Sequence, residues 1–148
     1  MITDFRDVLA ELVAAKARFL VVGAHALSAH GVPRATVDLH VWVDAEPGNA
    51  ERVFAALALF GAPLDALGIT LKDFVTPNMV SQFGVPPYRI DILTSVSGVG
   101  FAAAWEERIE AEIEGVLVPI IGLQSFIANK RASGRPKDRV DLEYLGVK

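Results

Sequence analysis

Two titratable side chains on one alternating segment have the types and spacing of metal ligands. Asp38 and His40 stand two positions apart in residues 37–43, where apolar residues alternate with other types and predict a β-strand. In a strand such side chains project in parallel from one face, about 7 Å apart. A carboxylate and an imidazole so placed can bind one or two metal ions. The alternative is a solvent-exposed face without function, against which Trp42 on the same face argues.

A further carboxylate lies within a second predicted strand, residues 88–94. Asp is uncommon in β-strands, so Asp91 between two isoleucines indicates either a sheet edge or a functional site. If the two strands are neighbours, Asp91 joins Asp38 and His40 as a third ligand.

Gly23 and Ala24 lie where an apolar strand, residues 19–22, changes to a short helix over residues 24–30. A helix N-terminus offers free N–H groups to an anion, and glycine lets a ligand approach the backbone closely. Strand–helix turns also carry glycine for packing alone, so the anion-binding and packing interpretations both stand at this point.

Basic residues collect near the C-terminus. From Lys130 onward the chain holds six basic and three acidic residues, whereas its total net charge is −4. Arg135, Lys137 and Lys130 can contact phosphates, and Asp138 and Asp141, three positions apart on one helix, can orient these bases. The alternative is a solvated helix end, because basic residues also suit a helix C-terminus.

Several classes of protein are excluded or disfavoured. The chain has no cysteine, which excludes disulfide scaffolds, iron–sulfur clusters and cysteine nucleophiles. Ser28 lies in no nucleophile motif. His25 and His30 fall on different helix faces, which disfavours a zinc cluster with His40. The longest uncharged runs have about 15 residues, fewer than the ~20 that a membrane span needs, and no signal peptide is evident, so we expect a soluble, cytoplasmic protein.

The elements that must position these residues form one domain, residues 1–148. With 52% hydrophobic residues the chain can bury a core. The order of elements predicts an α/β (α+β) fold with a mixed β-sheet flanked by helices. Residues 61–73 are predicted to be irregular. The predicted helices span residues 3–18, 24–30, 47–60, 98–107, 122–133 and 136–145. The predicted strands span residues 19–22, 37–43, 74–83 (weakened by Pro77), 88–94, and the hairpin 108–114 with 116–121.

These features in combination resemble a known family. The residues that carry the resemblance are Phe19-Leu-Val-Val-Gly-Ala-His-Ala-Leu-Ser-Ala-His-Gly31, Pro33-Arg-Ala-Thr-Val-Asp-Leu-His40, Asp91, Lys130, Gly134-Arg-Pro-Lys-Asp138 and Asp141-Leu142. They are similar to the signature of the nucleotidyltransferase superfamily, with its polymerase-β-like fold. The resemblance covers roughly residues 19–145 and is greatest to small bacterial nucleotidyltransferases of the AbiEii toxin type.

The resemblance implies a nucleotidyltransferase-like fold and a metal-dependent transfer of NMP from an NTP substrate to a hydroxyl acceptor. It implies Mg²⁺ (or Mn²⁺) as cofactor, an RNA, protein or small-molecule acceptor, and an antitoxin partner. The small chain leaves little protein to select an acceptor, so a partner or a homodimer is also expected. The implied catalytic and metal-binding residues are Asp38, His40 and Asp91. The implied nucleotide-binding residues are Gly23, Ala24, Arg34, Thr36, Lys130, Arg135 and Lys137.

Two positions depart from the family pattern. His40 stands where the family has its second Asp, and Ala24 stands where it has Gly or Ser. Imidazole is a poorer ligand than carboxylate for Mg²⁺ and a better one for Mn²⁺ or Zn²⁺. Two interpretations follow: an enzyme with an altered metal arrangement, or a catalytically degenerate nucleotide- or partner-binding module on the same fold.

Overall fold

A six-stranded mixed β-sheet carries the core, in a computed structural model that describes residues 4–33 and 38–147. The strands are β1 (Phe19–Val22), β2 (Leu39–Val43), β3 (Val80–Phe83), β4 (Ile90–Leu93), β5 (Ile109–Ile113) and β6 (Val116–Ile120). Their order in the sheet is β3-β4-β2-β1-β6-β5. Strand β2 pairs antiparallel with β1 and parallel with β4, which sets the two predicted site strands side by side.

Helices flank the sheet as the order of elements predicts. A 3-10 helix at Leu71–Val75 accompanies the α-helices. The α-helices are α1 (Asp4–Ala14), α2 (Gly23–Ala29), α3 (Pro47–Phe60), α4 (Leu64–Leu67), α5 (Phe101–Glu106), α6 (Leu123–Ser133) and α7 (Pro136–Tyr144). The longest of them is α3, whose N-terminal N–H groups at Gly48 and Asn49 donate to the Glu46 carboxylate at 2.8 and 2.9 Å.

Some predicted boundaries were wrong. Helix α1 ends at Ala14 rather than at residue 18. Two residues after Ala14, Lys16 adopts a left-handed backbone conformation with φ 59°, which cannot continue the helix. The segment 61–73 is not irregular throughout, because it contains α4 and the start of the 3-10 helix. That 3-10 helix also shortens the predicted strand 74–83 to β3. Helix α5 begins at Phe101 rather than at residue 98.

The core covers one end of the β2 face that carries His40. Trp42, on this same face, is buried, and its ring meets the Phe101 ring of α5 edge-on with centroids 5.1 Å apart. His40, two residues before Trp42 and on the same face of β2, is only partly buried. Packing therefore closes the Trp42 end of the face and leaves the His40 end accessible. No helix in the described parts of the chain is long and apolar enough to span a membrane.

Candidate functional site

A cleft of about 460 Å³ opens at the His40 end of β2. It brings together seven of the ten predicted site residues. A larger concavity of about 600 Å³, beside Arg139 and Glu143 on α7, contains none of them. The cleft is lined by Gly23, Ala24, Asp38, His40, Pro86, Pro87, Lys130, Arg135, Lys137 and Asp141. Of the remaining predicted residues, Asp91 contacts His40, and Arg34 and Thr36 lie outside the described residues.

His40 lines the cleft, and the buried carboxylate of Asp91 lies in direct contact with it. They are direct partners in the parallel β2–β4 register, and His40 Nε2 lies 3.2 Å from Asp91 Oδ2. Burial lowers the pKa of His40 below its ordinary value, Asp91 raises it, and the charge of Lys137 lowers it again. The net lowering of this pKa favours a neutral imidazole.

The second oxygen of Asp91 is a buried acceptor without a donor. Asp91 is 6% exposed, and its Oδ1 has no hydrogen-bond partner among the described residues. A buried carboxylate oxygen left unpaired costs free energy, about 1–3 kcal/mol or more. Asp91 Oδ1 is therefore the atom at this site most in need of a cation or another donor.

Gly23 brings the backbone close to the imidazole. It is the first residue of α2 and adopts φ 72°. A Cβ placed on Gly23 would lie 3.5 Å from the Cβ and Cγ atoms of His40, which is an ordinary contact distance. The left-handed φ, rather than lack of space, is what requires glycine here. Ala24 follows it on the cleft wall.

The opposite wall is built by α6 and α7 around a buried ion cluster. Lys130 is 5% exposed, and its Nζ lies 3.2 Å from Asp138 Oδ1 and 3.3 Å from Asp141 Oδ2. Burial by itself raises the pKa of Asp138, but hydrogen bonds from Arg135, Ser133 and Lys130 outweigh burial and hold this pKa well below its usual range. The cluster is therefore ionised and ties α7 to the end of α6.

Sequence reasoning missed the third wall of the cleft. Pro86 and Pro87 line it just before β4. The signal was a Pro-Pro pair a few residues before Asp91, which fixes a loop at the entrance to the strand.

Sequence reasoning treated His30 only as a weak metal candidate. The structure gives it a packing role, with Nε2 2.8 Å from the carbonyl oxygen of Ile121.

The donor atoms suit one divalent ion better than two. Asp91 Oδ1 is a buried oxygen without a donor, and oxygen is the ligand that Mg²⁺ and Mn²⁺ prefer. Asp91 contacts His40, and His40 and Asp38 both line the cleft. Within residues 4–33 and 38–147, however, no three Asp, Glu or His side chains are close enough to form a ready-made metal site. A single ion would therefore bind first at Asp91 Oδ1, the buried oxygen without a donor.

Comparison with known proteins shows the fold. No family model matches the sequence, and no curated protein matches it either. The structure is similar to a crystal structure described as that of "a putative nucleotidyltransferase" from Thermotoga maritima, with a TM-score of 0.61 and 14% sequence identity. The match covers 96% of this chain and 90% of that one. The chain thus has a nucleotidyltransferase-like α+β fold, as the sequence predicted.

Proposed function

We propose that the protein is a nucleotidyltransferase that binds an NTP in this cleft and transfers NMP to a hydroxyl acceptor. The proposal is carried by one observation. On a nucleotidyltransferase-like fold, one cleft is lined by Asp38, by His40 with Asp91 in contact with it, and by the basic residues of α6 and α7. That arrangement suits a polyphosphate on the basic side and a reacting hydroxyl on the acidic side.

The chemistry assigned to the cleft is a displacement at the α-phosphorus. The acceptor oxygen forms a bond to this phosphorus while the bond to the β-phosphate oxygen breaks, and pyrophosphate leaves. The hydroxyl proton passes to the His40–Asp91 pair. Positive charge on the α7 side stabilises the charge on the departing pyrophosphate.

Asp91, with His40 and Asp38, would hold one Mg²⁺ or Mn²⁺ ion. Such an ion would neutralise phosphate charge and make the acceptor hydroxyl more acidic. The position of His40 favours Mn²⁺ over Mg²⁺ relative to a site of carboxylates alone.

Label transfer tests the proposal directly. The protein is incubated with NTPs labelled at the α-phosphate, with Mg²⁺ or Mn²⁺, and with total RNA or total protein as acceptor. We expect covalent labelling by the wild type and its loss in Asp91→Asn. Absence of labelling with every NTP and both metals, with His40→Asp equally inactive, would refute nucleotidyl transfer.

A second candidate function is nucleotide binding without transfer. It is favoured by the contact between His40 and Asp91, whose Nε2 and Oδ2 atoms lie 3.2 Å apart and leave no space for a metal ion between them. Titration calorimetry with ATP and each metal separates the two functions, because a binding module binds the nucleotide and leaves it unchanged. Absence of nucleotide binding would leave only a partner-binding role for the fold.

The biological setting that the resemblance implies is also a proposal. An AbiEii-type protein would act in the cytoplasm as a toxin, with an RNA or protein acceptor and an antitoxin partner. Expression of the chain alone in a bacterial host is then expected to slow growth, and Asp91→Asn is expected to restore it. Size-exclusion chromatography with light scattering tests the homodimer.

A further inference from the structure

The three bases at the cleft differ in what they already bind. We propose that Lys137 is the side chain that contacts the nucleotide phosphates, and that Lys130 is a positioning residue that holds Lys137 in place. This assignment rests on the proposed function and divides a basic wall that sequence reasoning treated as uniform.

Lys130 lacks the freedom to bind a ligand. Its ammonium is almost fully buried and lies within 3.3 Å of two carboxylates, those of Asp138 and Asp141. It also lies 5.2 Å from the centre of the Phe126 ring. Turning this ammonium toward a phosphate would break its contacts with both carboxylates inside a buried cluster, which is unfavourable.

Arg135 is likewise committed to Asp138. Its Nε and one terminal nitrogen donate to the two oxygens of this carboxylate at 2.9 and 3.2 Å. Ser133 Oγ and the backbone N–H of Arg135 donate to the same group. Asp138 thereby fixes the turn between α6 and α7, and with it the direction in which α7 starts.

Lys137, unlike Lys130 and Arg135, is not held by an ion pair with any carboxylate that the structure describes. It is exposed on the cleft wall, and no carboxylate among the described residues pairs with it. It lies in the first turn of α7, where the partial positive charge of the helix end disfavours a cation. It lines the same cleft as His40, and its charge lowers the pKa of that imidazole. A phosphate beside Lys137 would offset the unfavourable interaction of its charge with the helix end.

The two roles predict opposite tolerance to arginine. Lysine and arginine both bind phosphate, and an exposed contact leaves room for the larger group, so Lys137→Arg keeps binding. A buried site between two carboxylates is shaped for a compact ammonium, so Lys130→Arg strains the α6–α7 turn. Raising the salt concentration weakens exposed contacts most. It therefore weakens ATP binding less in Lys137→Ala than in the wild type.

Calorimetric titration with ATP and with inorganic tripolyphosphate tests the assignment, together with melting temperatures. Lys137→Ala is expected to bind about tenfold more weakly or worse, with an unchanged melting temperature. Lys137→Arg should bind within about threefold of the wild type. Lys130→Arg should melt several degrees lower but keep the wild-type salt dependence. Asp141→Asn should behave in the same way if Lys130→Arg does not fold. Lys72→Ala, an exposed lysine on the 3-10 helix, is the matched control.

The outcomes separate the assignment from the proposed function. Wild-type protein that binds neither ATP nor tripolyphosphate overturns both. Wild-type protein that binds ATP while Lys137→Ala binds it equally well overturns the assignment alone. The same holds if Lys130→Arg and Asp141→Asn keep the wild-type melting temperature but lose salt-sensitive binding, because Lys130 would then be the contact.

Discussion

His40 and Asp91 face each other directly across the parallel pair of β2 and β4, with His40 Nε2 3.2 Å from Asp91 Oδ2. The family pattern places a carboxylate at position 40. An imidazole there removes the repulsion between two carboxylates and places Nε2 next to the Asp91 carboxylate instead. The pair therefore needs a cation less than two facing carboxylates would.

Changing His40 to Asp should make this pair dependent on a cation. Two facing carboxylates repel, and a divalent ion relieves the repulsion. We expect Mg²⁺ to raise the melting temperature of His40→Asp by several degrees and that of the wild type by less. His40→Asn, without a second charge, is the control. Equal Mg²⁺ effects on all three proteins would show that the two side chains are not coupled.

The buried carboxylate of Asp138 should be a principal stabiliser of the α6–α7 turn. It is 0% exposed and accepts hydrogen bonds from Lys130, Ser133 and Arg135. Replacement by Asn leaves the Lys130 ammonium short of a partner, so we expect a loss of about 3–5 kcal/mol in the free energy of unfolding. Urea denaturation measures it. Asp65→Asn, exposed on α4, should change stability by less than about 0.5 kcal/mol, and an equally small loss in Asp138→Asn would contradict the burial of the cluster.

The same carboxylate should make stability depend on pH in the acid range. The pKa of Asp138 in the folded protein lies below that of an unfolded Asp, about 3.9. At pH values above about 3.9 the carboxylate therefore contributes its full share to the free energy of unfolding. As the pH falls from about 3.9 toward the folded pKa, this contribution is lost by up to about 1.4 kcal/mol per pH unit. The difference in unfolding free energy between the wild type and Asp138→Asn should narrow from pH 6 to pH 3. A constant difference would mean that another interaction is lost in the variant.

Gly23 should be needed for its backbone conformation more than for space. At φ 72° an alanine would cost about 1–2 kcal/mol, although its Cβ would make only an ordinary contact with His40. Chemical denaturation of Gly23→Ala measures the cost. Gly100→Ala, at a position with open space and φ −87°, should lose little. Equal losses at both positions would exclude a special role for the left-handed conformation.

Local patterns predicted much of this fold because they reflect local physics. The buried face of α1, with Phe5, Val8 and Leu9, follows from helical spacing, and the alternation in β2 correctly places His40 and Trp42 on one face. That His40 faces Asp91 was only conditional, because it depends on which strands become neighbours, and strand pairing between distant segments is not encoded locally. The short helices between Gly61 and Thr76 were missed for a related reason, since they contain less than two turns of periodic sequence.

The charges near the C-terminus were the least predictable part of the site. A basic residue suits a phosphate contact and a buried ion pair equally well in sequence. Only the packing of α7 on α6 shows that the Lys130 ammonium is enclosed by Asp138 and Asp141, whereas Lys137 stays exposed. The three-residue spacing of the two acids on α7 did indicate that they could orient the neighbouring bases.

The most direct test of the account compares label transfer from NTPs labelled at the α-phosphate with transfer from NTPs labelled at the γ-phosphate. The comparison uses the wild type and Asp91→Asn in the presence of Mg²⁺ or Mn²⁺. Nucleotidyl transfer predicts that the acceptor receives the α label and not the γ label, and that Asp91→Asn abolishes the reaction. Transfer of the γ label, or no transfer of either label by protein that binds ATP, would contradict it.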